Sequence, residues 1–242
     1  MIIGLLLTLA QPAIADDPTV EELLNATDDI QRGESSIGVI EMQVKTSRYE
    51  RTMRMKAWSE GTEKSLIVIE SPAKDAGIAT LKVDDNIWNY LPKVDRTMKV
   101  PAGMMSGSWM GSHFSNDDLV RENRLSEQFT SEITSRPNES GEGNWVIKLV
   151  PNPDAPVVWG SLVVTVRPDK IPVSIAYFEE DGTLARTMKY EDVREIGGKE
   201  IPGTMTLTPA DKPEEMTQIR YVELEFDADV PASTFTLQAL KQ

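Results

Sequence analysis

His113 is the only imidazole in the chain, and no cysteine accompanies it. It lies beside Phe114 with no evident partner, so a triad built on imidazole and a multi-histidine metal site are both excluded. A satisfied loop histidine is the better reading. Adjacent acids occur at Asp16-Asp17, Asp28-Asp29, Asp84-Asp85 and Asp117-Asp118, a pattern that invites glycosidase or cation chemistry. Each pair falls at a turn or a helix start, where carboxylates are ordinary. No glycine-rich phosphate loop follows a strand, and there is no nucleophile elbow. The residues therefore predict no enzyme, no cofactor and no metal.

What stands out instead is apolar. Residues 101–114 form a loop by their glycine and serine content, yet the loop carries Met104, Met105, Trp109, Met110 and Phe114. Methionine is flexible and polarizable, and methionine-rich surfaces re-pack around varied apolar ligands. Two readings follow from the residues: the loop lines or lids a lipid cavity, or it plugs one end of a sheet.

The elements around the loop are mostly strands. Thr19-Val20-Glu21-Glu22 has the spacing of a capping box, and Val20, Leu23, Leu24, Thr27 and Ile30 recur at helical intervals up to Gly33. From Ile40 the period becomes two: Ile40, Met42 and Val44 alternate with polar residues, as do Met53, Met55 and Ala57. Leu81 and Val83 lead through Asp84-Asp85-Asn86 into residues 87–91, a hairpin signal. Asp181-Gly182 and Gly197-Gly198 mark further turns, and residues 235–240 read as a closing strand. Residues 101–135 interrupt the series, with Ser115-Asn116-Asp117-Asp118 capping a short helix through Leu119, Val120 and Asn123. About ten or eleven strands in an antiparallel meander favour a barrel or strongly curved sheet.

Residues 1–15 read as a cleavable export signal, with an apolar run through Leu9 and small residues at Ala13-Ile14-Ala15, although no Lys or Arg precedes the run. The run, about nine residues long, is shorter than the roughly twenty that span a membrane. Residues 16–242 then form one soluble domain outside the cytoplasm. The net charge of −14 repels nucleic acid and anionic membrane surfaces. The lack of cysteine excludes disulfides and the lipid-bearing cysteine of a bacterial lipoprotein.

The succession of signal, amphipathic helix and meander, together with Val83-Asp84-Asp85-Asn86-Ile87-Trp88-Asn89-Tyr90-Leu91-Pro92, resembles the LolA/LolB superfamily, which has a hairpin of the form dG…W.Y.P at a similar place. The run from Gly107-Ser108-Trp109-Met110-Gly111 to Leu119 looks like the signature of a LolA-like branch of outer-membrane lipoprotein-sorting proteins. The resemblance implies an incomplete antiparallel β-barrel of about eleven strands, covered by short helices and enclosing an apolar cavity. It also implies a periplasmic ferry for the acyl chains of lipoproteins or other lipids. The donor would be an inner-membrane transporter, with the RND class a candidate, and the acceptor would lie at the outer membrane. A non-enzymatic lipid sensor or transporter-associated adaptor of the RseB type is the alternative. Family carriers hold their lid with an arginine on an early strand, but Arg48, Arg51 and Arg54 all fall nearby and none is assigned that role. The expected cavity residues are Trp58, Ile67, Ile69, Trp88, Tyr90, Met104, Met105, Trp109, Met110 and Phe114. A slip of one residue in strand register would exchange the inward set for its neighbours.

Overall fold

A computed structural model describes residues 17–121, 125–155 and 157–241. The export signal read at residues 1–15 and Asn123 lie outside these. Among these residues thirteen strands form a single antiparallel sheet. The first group is β1 (Ser35–Lys45), β2 (Glu50–Glu60), β3 (Lys64–Ser71), β4 (Ala79–Val83), β5 (Asn86–Leu91) and β6 (Arg96–Lys99). The second is β7 (Phe129–Ser135), β8 (Trp145–Pro151), β9 (Ser161–Val166), β10 (Pro172–Phe178), β11 (Leu184–Ile196), β12 (Lys199–Pro209) and β13 (Met216–Phe226). Each group is a meander, and the pairing of β1 with β13 joins them. The sheet is open, with β6 and β7 at its two ends, as expected of an incomplete barrel.

Among the described residues three short helices accompany it: α1 (Val20–Asp29), α2 (Asn116–Arg121) and α3 (Leu125–Gln128). The Thr19 hydroxyl caps α1 by accepting from the Glu22 amide at 3.1 Å. Leu23 and Leu24 face the sheet and are fully buried, each contributing on the order of 2 kcal/mol. Ser115 and Asp118 cap α2 reciprocally, the Ser115 amide donating to Asp118 Oδ2 and the Asp118 amide to Ser115 Oγ. Gly197 and Gly198, both at positive φ, make the two-residue turn from β11 to β12.

Alternation sorts the residues of β1 strictly, with Ser36, Gly38, Ile40, Met42 and Val44 inward. Cross-strand pairing carries this inner face through Met53, Met55 and Ala57 on β2 and Ile67 and Ile69 on β3. The main core lies here, under α1, residues 101–119 and α3. On the outer face, Leu66, Ala79 and Leu81 are covered by Phe235, Ala239 and Leu240.

The sequence reading of residues 235–240 as a strand is corrected by this arrangement: the chain forms 3₁₀ turns at Ala232–Phe235 and Ala239–Lys241. Their apolar residues are used to cap the outer face rather than to extend the sheet. A strand at β7 was not anticipated within the interrupted region, and the count of thirteen exceeds the expected ten or eleven. Outside this capped patch the outer face is charged. Glu41 pairs with Arg54 and Arg220, and Arg54 also with Glu70, exposed contacts that add little stability.

Candidate functional site

The cavity has its origin in small side chains. Two successive inward rows cross β1, β2 and β3: Ser36, Ser59 and Ser65, then Gly38, Ala57 and Ile67. The next rows are Ile40, Met55 and Ile69, then Met42 and Met53. The large side chains fill one end of the half-barrel, and the small ones leave a cavity of about 200 Å³ beneath α1. Gly38 is small for a second reason, since a Cβ there would lie 3.1 Å from Leu224 Cδ1 and 3.2 Å from the Glu223 carbonyl oxygen. Across the cavity stand Tyr177, Tyr190, Met205, Ile219 and Tyr221. The Ser36 and Ser59 hydroxyls meet at 2.7 Å, so this polar pair inside the wall is satisfied.

Trp109 and Phe114 of the methionine loop close the cavity on the side toward β4, and both are buried. The Trp109 indole N–H donates to Thr80 Oγ1 at 3.1 Å, and the Thr80 hydroxyl donates to Asn89 Oδ1 at 2.8 Å. Trp109 is also part of a second, more open groove of about 850 Å³ between β2, β3, β5, β6 and the loop. One indole thus divides two compartments.

The cover is fastened by polar contacts. Asp118 on α2 receives Arg186 of β11 in a two-point ion pair, at 2.8 Å from Nη1 and 2.5 Å from Nη2. The guanidinium lies against both the Tyr177 and Trp159 rings, 4.4 and 4.5 Å from their centres. Asp28 of α1 accepts from the Leu125 amide at 3.0 Å, and Ser126 donates to Asn25 at 2.8 Å, tying α3 to α1. His113 fastens the loop to β13: its amide donates to Thr217 Oγ1 at 3.0 Å, and its ring nitrogens lie 2.9 Å from Thr217 Oγ1 and 3.1 Å from Glu215 Oε2. The Ser47 amide, first, and the His113 ring, second, hold the Glu215 carboxyl down at about 2.

Thr217, His113 and Glu215 superficially imitate a hydrolytic triad. Thr217 is fully buried, however, and borders neither the cavity nor the groove. The three are a structural clamp, and His113 is the satisfied loop histidine expected from the sequence, with partners that the sequence did not reveal. Among the described residues, no three His, Cys, Asp or Glu side chains converge as a metal site. No described helix is long and apolar enough to cross a membrane.

Of the ten expected cavity residues, Ile67, Trp109 and Phe114 line the cavity. Ile69, Met104 and Met110 border the groove, which Trp109 shares, and Met105 borders neither compartment. Trp58 touches the edge of the cavity, but its register opposite Ile37 and Leu66 assigns its side chain to the outer face, where Lys56 Nζ lies 5.1 Å from its ring centre. Trp88 and Tyr90 are corrected outright. They pair with Leu81 and Ala79 on the outer face and pack against the C-terminal turns. Ile87, Asn89 and Leu91 take the inner positions. The small-residue rows and the Arg186 latch were missed.

The same architecture occurs in solved proteins. A domain described as an outer membrane lipoprotein-sorting protein, from Vibrio parahaemolyticus, has TM-score 0.76 and 21% identity, covering 92% of this chain and 96% of its own. A LolA superfamily protein from Nitrosomonas europaea has TM-score 0.74 and 21% identity, with coverages of 92% and 99%. A DUF1329 family protein from Desulfovibrio piger reaches TM-score 0.79 at 20% identity, with 90% and 96% covered. At these identities the likeness is one of fold, and the fold is LolA-like, as the sequence motifs implied. A family model described as an uncharacterized protein matches residues 61–242. No curated protein matches the sequence.

Proposed function

The chain belongs to the family so described, and from that premise and the LolA-like fold we propose that it carries acyl chains of lipoproteins or other lipids through the periplasm. The observation that supports this reading most is the pair of small-residue rows. Ser36, Gly38, Ala57, Ser59 and Ser65 leave a cavity at a place where the neighbouring rows use isoleucine and methionine to fill the same interior. Close-packed interiors rarely leave such space, and an apolar ligand is the natural occupant. Each methylene removed from water is worth about 0.8 kcal/mol, so a multi-acylated lipoprotein needs an escort between membranes.

Loading requires the cover to move. Its directional contacts with the sheet include Asp118–Arg186 and the His113 clamp, while Asp28–Leu125 holds α1 and α3 together within the cover. Such contacts are made or lost together, which suits a cover that opens and recloses. An inner-membrane transporter would supply the cargo and an outer-membrane acceptor would receive it. The carrier role does not call on catalysis, and it gives the clamp a holding task rather than a chemical one.

The test is native mass spectrometry of the protein purified from the periplasm of its host, followed by organic extraction. The carrier reading expects a bound acyl lipid released by solvent. Reproducible absence of lipid, together with failure to take up a fluorescent fatty-acyl probe, would overturn it.

A further inference from the structure

We propose that the open groove beside Trp109 is a binding site for an anionic amphiphile, with Arg51 receiving its carboxylate or phosphate headgroup. The inference rests on the acyl-carrier reading and adds to it a second compartment, divided from the cavity under α1 by Trp109, with the class of headgroup held there.

Arg51 lies on the inner face of β2, in register with Val44. Its Nε is buried with no hydrogen-bond partner among the described residues. The nearest carboxylate oxygen, Asp75 Oδ2, is 4.0 Å from Nη1 and itself buried without a hydrogen bond. At that distance the pair attracts but forms no hydrogen bond. A guanidinium offers five donors in a planar fork suited to carboxylate and phosphate, and here the fork faces a groove.

The methionine loop is shaped around this group. Met110 and Gly111 both take positive φ, and Gly111 passes so near that a Cβ on it would lie 3.3 Å from Arg51 Nη2 and 3.1 Å from the Tyr49 hydroxyl oxygen. That hydroxyl donates to the Gly111 carbonyl at 2.5 Å. Arg51 thus borders a groove that Arg96, opposite Leu91 on the same face, also borders. Lys99 also borders the groove, but its ammonium lies over the Trp88 ring on the outer face. Two cations therefore face one carboxylate in the groove of a chain whose net charge is −14. The same groove is lined by Leu91, Met98, Met104 and Met110, with Met104 61% exposed. The groove thus offers apolar side chains beside a guanidinium, a combination that matches a single amphiphile better than a free anion or a neutral chain.

The experiment compares cis-parinaric acid with its methyl ester, by fluorescence titration of the wild-type protein and of Arg51→Gln. The wild type is expected to bind the acid about tenfold more tightly than the ester, as loss of a charge-assisted bidentate contact implies. Arg51→Gln should bring the acid to the level of the ester and leave the ester unchanged. A large excess of inorganic phosphate should not displace the acid. Arg51→Lys keeps the charge without the fork and should fall between the two, which maintains the test if Arg51→Gln does not fold by circular dichroism. Equal binding of acid and ester to the wild type, unaltered acid binding in both variants, or ready displacement by phosphate would overturn the headgroup site while leaving the carrier reading intact. Failure of the wild type to bind either probe would overturn both.

Discussion

The Asp118 carboxylate and the Arg186 guanidinium form a two-point ion pair across the boundary between cover and sheet, with both side chains about one-tenth exposed. A buried pair of this kind adds less net stability than its geometry suggests, because both ions lost their water. Breaking it from one side is costly, since the surviving charge remains buried. Asp118→Leu should therefore destabilise the protein by about 3 kcal/mol or more, and Arg186→Met similarly, whereas the two combined should recover much of the loss. Urea unfolding of the three variants checks this. Losses that simply add in the double variant would show that the two groups are not coupled.

Glu215 ties the pH dependence of the fold to the loop clamp. Its carboxyl titrates at about 2, below its ordinary value of 4.5, first because the Ser47 amide donates to it and second because the His113 ring does. The depressed carboxyl binds fewer protons folded than unfolded, so its contribution is fully present above pH 4.5 and is lost as pH falls toward 2. The difference in Tm between wild type and Glu215→Gln should thus be constant above pH 5 or so and shrink steadily below about 4.5. A difference that is independent of pH down to the acid limit would contradict the clamp.

Trp109 closes the cavity and bounds the groove with one buried ring. Trp109→Asp puts a charge in the buried apolar wall between the two compartments and removes packing worth about 3–5 kcal/mol. It should lower both stability and uptake of a fluorescent acyl probe. Trp109→Leu keeps the wall apolar while losing only the bond to Thr80 and part of the packing, and it should retain uptake. Unchanged uptake in a folded Trp109→Asp protein would make the methionine loop a plug rather than a wall.

Half-buried strands announce themselves by alternation, which is why β1 and β2 were legible down to the facing of Met42 and Met53. Trp88 and Tyr90 were not legible for a definable reason. The sheet from β3 to β5 is covered on both sides, by the loop within and the C-terminal turns without, so hydropathy alone does not separate Ile87 from Trp88. The cavity floor carries no hydropathy signal either. Serine, glycine and alanine at Ser36, Gly38, Ala57 and Ser59 resemble an ordinary strand until pairing aligns them. Arg186 and Asp118 are 68 residues apart, and each reads locally as a solvated charge. Pairing register and burial together reveal them, and neither is contained in a single stretch of sequence.

The most direct measurement concerns the empty space itself. Ala57 sits on the cavity floor between Gly38 and Ile67, and Ala57→Leu fills space there with new buried methylenes. Acyl-probe uptake should fall sharply, while the unfolding free energy stays level or rises by up to about 2 kcal/mol. Undiminished uptake by a folded Ala57→Leu protein of equal or greater stability would contradict the claim that the cavity under α1 holds the acyl chain.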